Sequence, residues 1–114
     1  MEFLNQIELK GLVGNVYTQD VNGNSLITIH VVTEYYVYTS PLGTPTIETM
    51  WFPCLVWVSE KHPNENARSI KKGDHVHIIG RLRPHKYMDE GFNGSRFPVT
   101  GNQVCVRSVE KIDE

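Results

Sequence analysis

Residues 70–87, IKKGDHVHIIGRLRPHKY, carry the side chains with the clearest chemistry. After the Gly73-Asp74 turn signal, Val76, Ile78 and Leu82 fall on one face of an extended strand, and His75, His77, Arg81 and Arg83 on the other. Gly80 sits on the apolar face, where a glycine often marks a bend or bulge. Past Pro84 the chain exits through His85, Lys86 and Tyr87. One face therefore feeds a core, while the other is a row of cations and imidazoles ending in an aromatic ring. Arginines and lysines for phosphates, with rings on which bases stack, are the parts of a single-strand nucleic-acid groove. The plainer reading is a half-exposed strand with solvated charges.

A second chemical stretch is IETMWFPCLVWVS, residues 47–59. Phe52, Cys54, Val56 and Val58 share one parity, and Trp51, Pro53, Leu55 and Trp57 the other. If the first set is core, both tryptophans lie outside, which costs solubility unless something covers them. The cover is either a subunit or partner interface, or stacked bases worth about 1–3 kcal/mol each. Pro53 cannot donate to a ladder, so it belongs at an edge, a bulge or an unpaired register. Other chemistries have less support. His75 and His77, with His30 or a carboxylate, would make a metal site lacking a second tight ligand pair. There is no phosphate-binding P-loop and no nucleophile motif, so neither an enzyme nor a cofactor is expected.

These residues need elements to hold them. A chain of 114 residues fits one domain, 1–114, and buries a small core. Its Val-, Ile- and Tyr-rich runs, broken by Gly and Pro, predict an all-β protein. Residues 1–20 predict a first strand with Ile7, Leu9 and Val13 inward, bent at Gly11 and Gly14. Asn22-Gly23 in VNGNS is a hairpin turn. A second strand follows, with Ile27, Ile29 and Val31 on one face and Thr28, His30, Val32, Glu34 and Tyr36 on the other, ending at Tyr35, Tyr36 and Tyr38. Residues 39–46 (TSPLGTPT) predict a loop that could act as a flap, and 47–59 a third strand. Residues 60–72 predict the single helix, capped by Asn64, with Ala67 and Ile70 inward. Residues 89–96 predict a hairpin loop, and 97–112 a fifth strand interrupted at Gly101-Asn102. Five strands with a short helix between the third and fourth is the order of the OB-fold, a Greek-key barrel.

Net charge is −2, which argues against a uniformly basic surface. The distribution is uneven: residues 1–60 hold one cation against six acids, and residues 61–114 hold ten cations against seven acids. A local basic surface on an acidic protein follows. No apolar run is long enough to span a membrane and no signal peptide is visible, so a cytoplasmic location is expected. Cys54 and Cys105 lie in apolar runs and read as reduced core residues, with a disulfide left open.

With these residues placed, the chain resembles the bacterial single-stranded DNA-binding (SSB) family over residues 5–112. Leu12-Val13-Gly14-Asn15 resembles its first-strand segment, and Thr49-Met50-Trp51 through Trp57 its third-strand run. Lys72-Gly73-Asp74-His75-Val76, then Gly80-Arg81-Leu82-Arg83 and Lys86-Tyr87, resembles its most characteristic block. The resemblance implies base stacking on Tyr36, Trp51, Trp57 and Tyr87, and phosphate contacts from Lys72, Arg83 and Lys86. Arg81 and Arg96 join the basic set on the reading of the residues themselves. Pro53 and His85 stand where the family usually has Arg, and residues 58–66 depart in spacing. The expected function is sequence-tolerant, non-enzymatic binding of single-stranded DNA in replication, recombination or repair. A homo-oligomer is expected, tetramer favoured over dimer, built on an apolar first-strand edge that includes Phe3, Leu4, Ile7 and Leu9. The chain stops at Lys111-Ile112-Asp113-Glu114 without the family's acidic, partner-recruiting tail. That fits a truncated form, a mobile-element or phage-like variant, or a relative of the tail-less primosomal protein PriB, which binds single strands and replication proteins. A protein-interaction OB module is the remaining alternative.

Overall fold

The computed structural model describes residues 2–61, 63–91 and 94–112. Its five strands are β1 (Ile7–Val21), β2 (Asn24–Thr39), β3 (Pro45–Val58), β4 (His75–Glu90) and β5 (Arg96–Lys111), with a short helix α1 (Glu65–Arg68) between β3 and β4. They close a barrel in the order β1-β2-β3-β5-β4. All neighbours are antiparallel except β3 and β5, which run parallel and pair only at Cys54–Val104 and Leu55–Cys105. This is the all-β OB-fold expected from the order of elements.

Period-two alternation builds the core. Val13, Ile27, Ile29, Val31, Cys54, Val56, Val76, Ile78, Val104 and Val109 point inward and are buried, and their chain neighbours point out. Burying such a side chain stabilises by about 1.5–3 kcal/mol, so these positions hold the register. A slip by one residue would exchange the two faces. The β1–β2 hairpin turns through Asn22 and Gly23 at φ 52° and 85°. Both residues are left-handed, as the two-residue turn matching strand twist requires.

Several expectations are corrected. The helix begins directly after Asn64, as expected, but is four residues long and ends at Arg68, short of Lys72, although Ala67 and Ile70 do join the core. Asn64 makes no side-chain cap; its Nδ2 instead donates to the Trp57 carbonyl at 2.8 Å. Residues 39–46 do not form a long loop. The β2–β3 ladder runs out to Thr39–Pro45, leaving a tight turn in which Ser40 accepts from the Gly43 amide at 2.9 Å. β4 does not exit at Pro84 but continues to Glu90, and β5 is not interrupted: Pro84 pairs with Asn102 and His85 with Gly101. Cross-strand pairing of two long strands overrides the local breaker signal at each point. The result is two hairpin arms, β2–β3 and β4–β5, projecting from the barrel. Leu82, expected in the core, lies where the second arm leaves the barrel and is 38% exposed. The first strand begins at Ile7, not at the N-terminus. The C-terminal Asp113 and Glu114 lie outside the described residues.

Candidate nucleic-acid interface

Outward parity puts Tyr36, Trp51 and Trp57 on the outside of the barrel wall. On β3, Trp51 and Trp57 are 58% and 44% exposed, opposite in parity to buried Cys54, Val56 and Val58, as the sequence predicts. Trp51 stands opposite Val32 of β2 and reaches across to β1. A Cβ added to Gly14 would lie 2.6 Å from Trp51 Cη2, so the indole rests directly on that glycine. Gly14 is the extra residue of a bulge, since Val13 pairs with Val31 and Asn15 with His30. The bend foreseen at Gly14 is thus the seat of a ring. Beside it, Tyr17 meets His30 edge-on at 5.6 Å, and Asn15 Nδ2 donates to its hydroxyl at 2.6 Å. Tyr17 was missed; it shares outward parity with Asn15, and that alone could have found it. Tyr36 shares the outer face, opposite Ile47 on the β2–β3 arm. An extra residue at Val37 turns Tyr38 to the face of Tyr35, so the three tyrosines do not form one cluster.

The basic residues divide among three places. Lys72 lies in the turn before β4, which docks on β1: Gly73 donates to the Val13 carbonyl at 2.8 Å, and Val13 donates to the Asp74 carbonyl at 2.9 Å. This puts Lys72 next to the Gly14 seat of Trp51. Asp74 holds the turn: its Oδ2 accepts from the Lys71 amide at 2.8 Å and meets Lys111 Nζ at 3.5 Å. The Lys71 backbone hydrogen bond chiefly holds its carboxyl below the usual range; desolvation opposes it, and the nearby Lys111 ammonium adds to the lowering.

Arg81 and Arg83 lie on the outer face of β4, together with His85 and Tyr87, whose rings stack at 5.9 Å and 20°. Tyr87 lies over Gly101, and Arg83 Nη2 donates to Gln103 Oε1 at 3.2 Å across the arm. Lys86 and Arg96 point to the arm's other face, opposite Thr100 and Glu90. The structure therefore brings Arg81, Arg83 and Tyr87 together and separates Lys86 and Arg96 from them. Arg81 and Arg83 also line a groove of about 650 Å³ with Trp57. Lys61 and Arg107 line the same groove and were not foreseen.

Of the histidines weighed and set aside as metal ligands, His77 takes another role. His77 Nε2 meets Glu8 Oε2 at 2.6 Å across the β1–β4 ladder. Among the described residues no three His, Cys, Asp or Glu side chains converge. Cys54 and Cys105 are both free: Cys54 points into the barrel and Cys105 outward, so they do not bridge. Burial pushes the Cys54 thiol up to about 12. Among the described residues no helix is long and apolar enough to cross a membrane.

A closed five-stranded barrel with a short helix between β3 and β4 defines an OB-fold. Solved structures share this architecture. The Plasmodium falciparum SSB in complex with ssDNA superimposes with a TM-score of 0.76 at 20% identity, covering 99% of this chain and 98% of that one. A deletion mutant of the single-stranded DNA-binding protein from Thermus aquaticus superimposes with a TM-score of 0.68 at 15% identity, over 96% of this chain and 51% of that one. No family model matches the sequence, and no curated protein matches it.

Proposed function

We propose that this chain binds single-stranded DNA without enzymatic chemistry and with little sequence preference. The observation that carries this is Trp51: a large ring held half in solvent on a glycine made for it, on the face that also carries Trp57 and Tyr36. Bases stack on Tyr36, Trp51, Trp57 and Tyr87. Lys72, Arg81 and Arg83 take phosphates, and Lys86 and Arg96 add contacts from the other side of the β4–β5 arm. The SSB whose structure is described as a complex with ssDNA supports the reading by its shared fold. Service in replication, recombination or repair, in the cytoplasm and alongside replication proteins, belongs to the same proposal.

Self-association belongs to it too. Residues 7–11 of β1 pair with β4 on one side, while the β2 ladder begins only at Leu12–Val32. Their other edge is open to a second copy. We expect at least a homodimer, with a tetramer favoured; a PriB-like protein would stop at the dimer.

Titrating intrinsic tryptophan fluorescence with poly(dT) at two salt concentrations tests the binding. Quenching that weakens as salt rises is expected, because released counterions drive part of the association. Salt-independent binding, or none, would leave the aromatic face to a protein partner.

A further inference from the structure

The two tryptophans point in different directions around the barrel. Trp51 leans over β2 towards Gly14 of β1, whereas Trp57 borders the groove that crosses β5 and β4. Six residues of strand separate them by about 20 Å. A strand that stacks on both must turn over β3 and enter that groove.

The groove is built to receive an anion. Its described lining includes Lys61, Arg81, Arg83 and Arg107 and no acidic side chain. Ile79 pairs with Ser108 and Gly80 with Val106, which leaves Arg107 as the extra residue of a bulge in β5. Bulges re-aim side chains, and this one turns a guanidinium into a space already holding two. One wall is fixed by Asn5, whose side chain donates to the Leu82 carbonyl at 2.8 Å and accepts from the Leu82 amide at 3.0 Å. Gathering four cations costs stability unless a polyanion joins them. Trp57 on the facing wall offers the matching stack for a base.

We infer that single-stranded DNA passes from the β1–β2–β3 face over β3 into this groove, where Arg107 and Lys61 hold internal phosphodiesters beside the base stacked on Trp57. The inference rests on the reading of the chain as a single-strand DNA binder. It adds a route and two contact residues to it.

Cys105 lines the groove, paired with Leu55 of β3 and Arg81 of β4, while Cys54 is buried and silent. The test is therefore alkylation of Cys105 by iodoacetamide with and without unmodified oligo(dT), alongside anisotropy of fluorescein-labelled oligo(dT). Bound oligo(dT) should slow Cys105 alkylation several-fold. Arg107→Ala should weaken binding about tenfold, as expected for one lost charge-assisted contact, and Arg107→Lys should restore most of it. Lys61→Ala, outside every strand, gives a second reading should the bulge variant fold poorly. If anisotropy rises while Cys105 reacts at its unbound rate, or if Arg107→Ala and Lys61→Ala both bind as wild type, the strand does not enter the groove. If anisotropy does not rise at all, the single-strand reading itself falls.

Discussion

Trp51 rests on Gly14 and both tryptophans are roughly half exposed, so truncation should cost binding and leave folding intact. Trp51→Ala and Trp57→Ala are each expected to weaken single-strand binding by about 1–3 kcal/mol, with thermal melting little changed because both rings are roughly half exposed. Circular dichroism melts beside fluorescence titrations separate the two effects. Gly14→Ala is the complementary experiment. The added methyl overlaps the Trp51 ring, so the ring must lift, and the variant should lose affinity comparably to Trp51→Ala while keeping its tryptophan. Thiol chemistry gives a third check. In the folded protein Cys105 should react with Ellman's reagent and Cys54 should not, since burial holds Cys54 protonated. Two prompt thiols would invert the face assignment of β3. The faces of Trp51 and Trp57 were legible because Cys54, Val56 and Val58 fix the opposite parity. Arg107 was not legible: nothing local marks a bulge whose extra residue is defined only by the partner strand.

At the level of the strand, what escaped the sequence is length. Pro41, Pro45 and Gly43 suggested a loop, and Pro84 and Gly101 suggested breaks, yet the ladders run through or up to each of them. A breaker is a local signal, and a cross-strand partner that tolerates it cannot be read from one segment. The arms that result carry opposite faces, with electrostatic consequences. For single strands, losing one phosphate contact lowers the salt slope by about 0.7. Arg83→Ala and Lys72→Ala should each do this, while Lys86→Ala and Arg96→Ala, on the far face of the β4–β5 arm, should each do less. Measuring log K against log salt for the four variants decides it. Equal slopes across the set would mean that the strand wraps the arm instead of following one side.

For the whole molecule, acid should act first through the turn at Asp74. Its carboxyl is held below its ordinary value in the folded state, so the unfolded chain binds the proton more readily. The stability it contributes is complete above about pH 4 and drains away as pH falls further. Asp74→Asn should flatten that part of a melting-temperature profile, and a profile unchanged below pH 4 would remove Asp74 from the account. The parallel β3–β5 contact has a different consequence. Just two residue pairs join the β1–β2–β3 meander to β5 there, whereas the β2–β3 and β4–β5 ladders each run for more than a dozen pairs. The barrel's two halves therefore meet along the six-pair β1–β4 ladder on one side and at this narrow seam on the other, with most aromatic platforms on one half and Arg81, Arg83 and Arg107 on the other. Hydrogen exchange should show the amides around Cys54, Leu55, Val104 and Cys105 opening before those of the hairpins. An occupied groove would lie across that seam as a suture, so the ligand would slow exchange most where the empty barrel opens first.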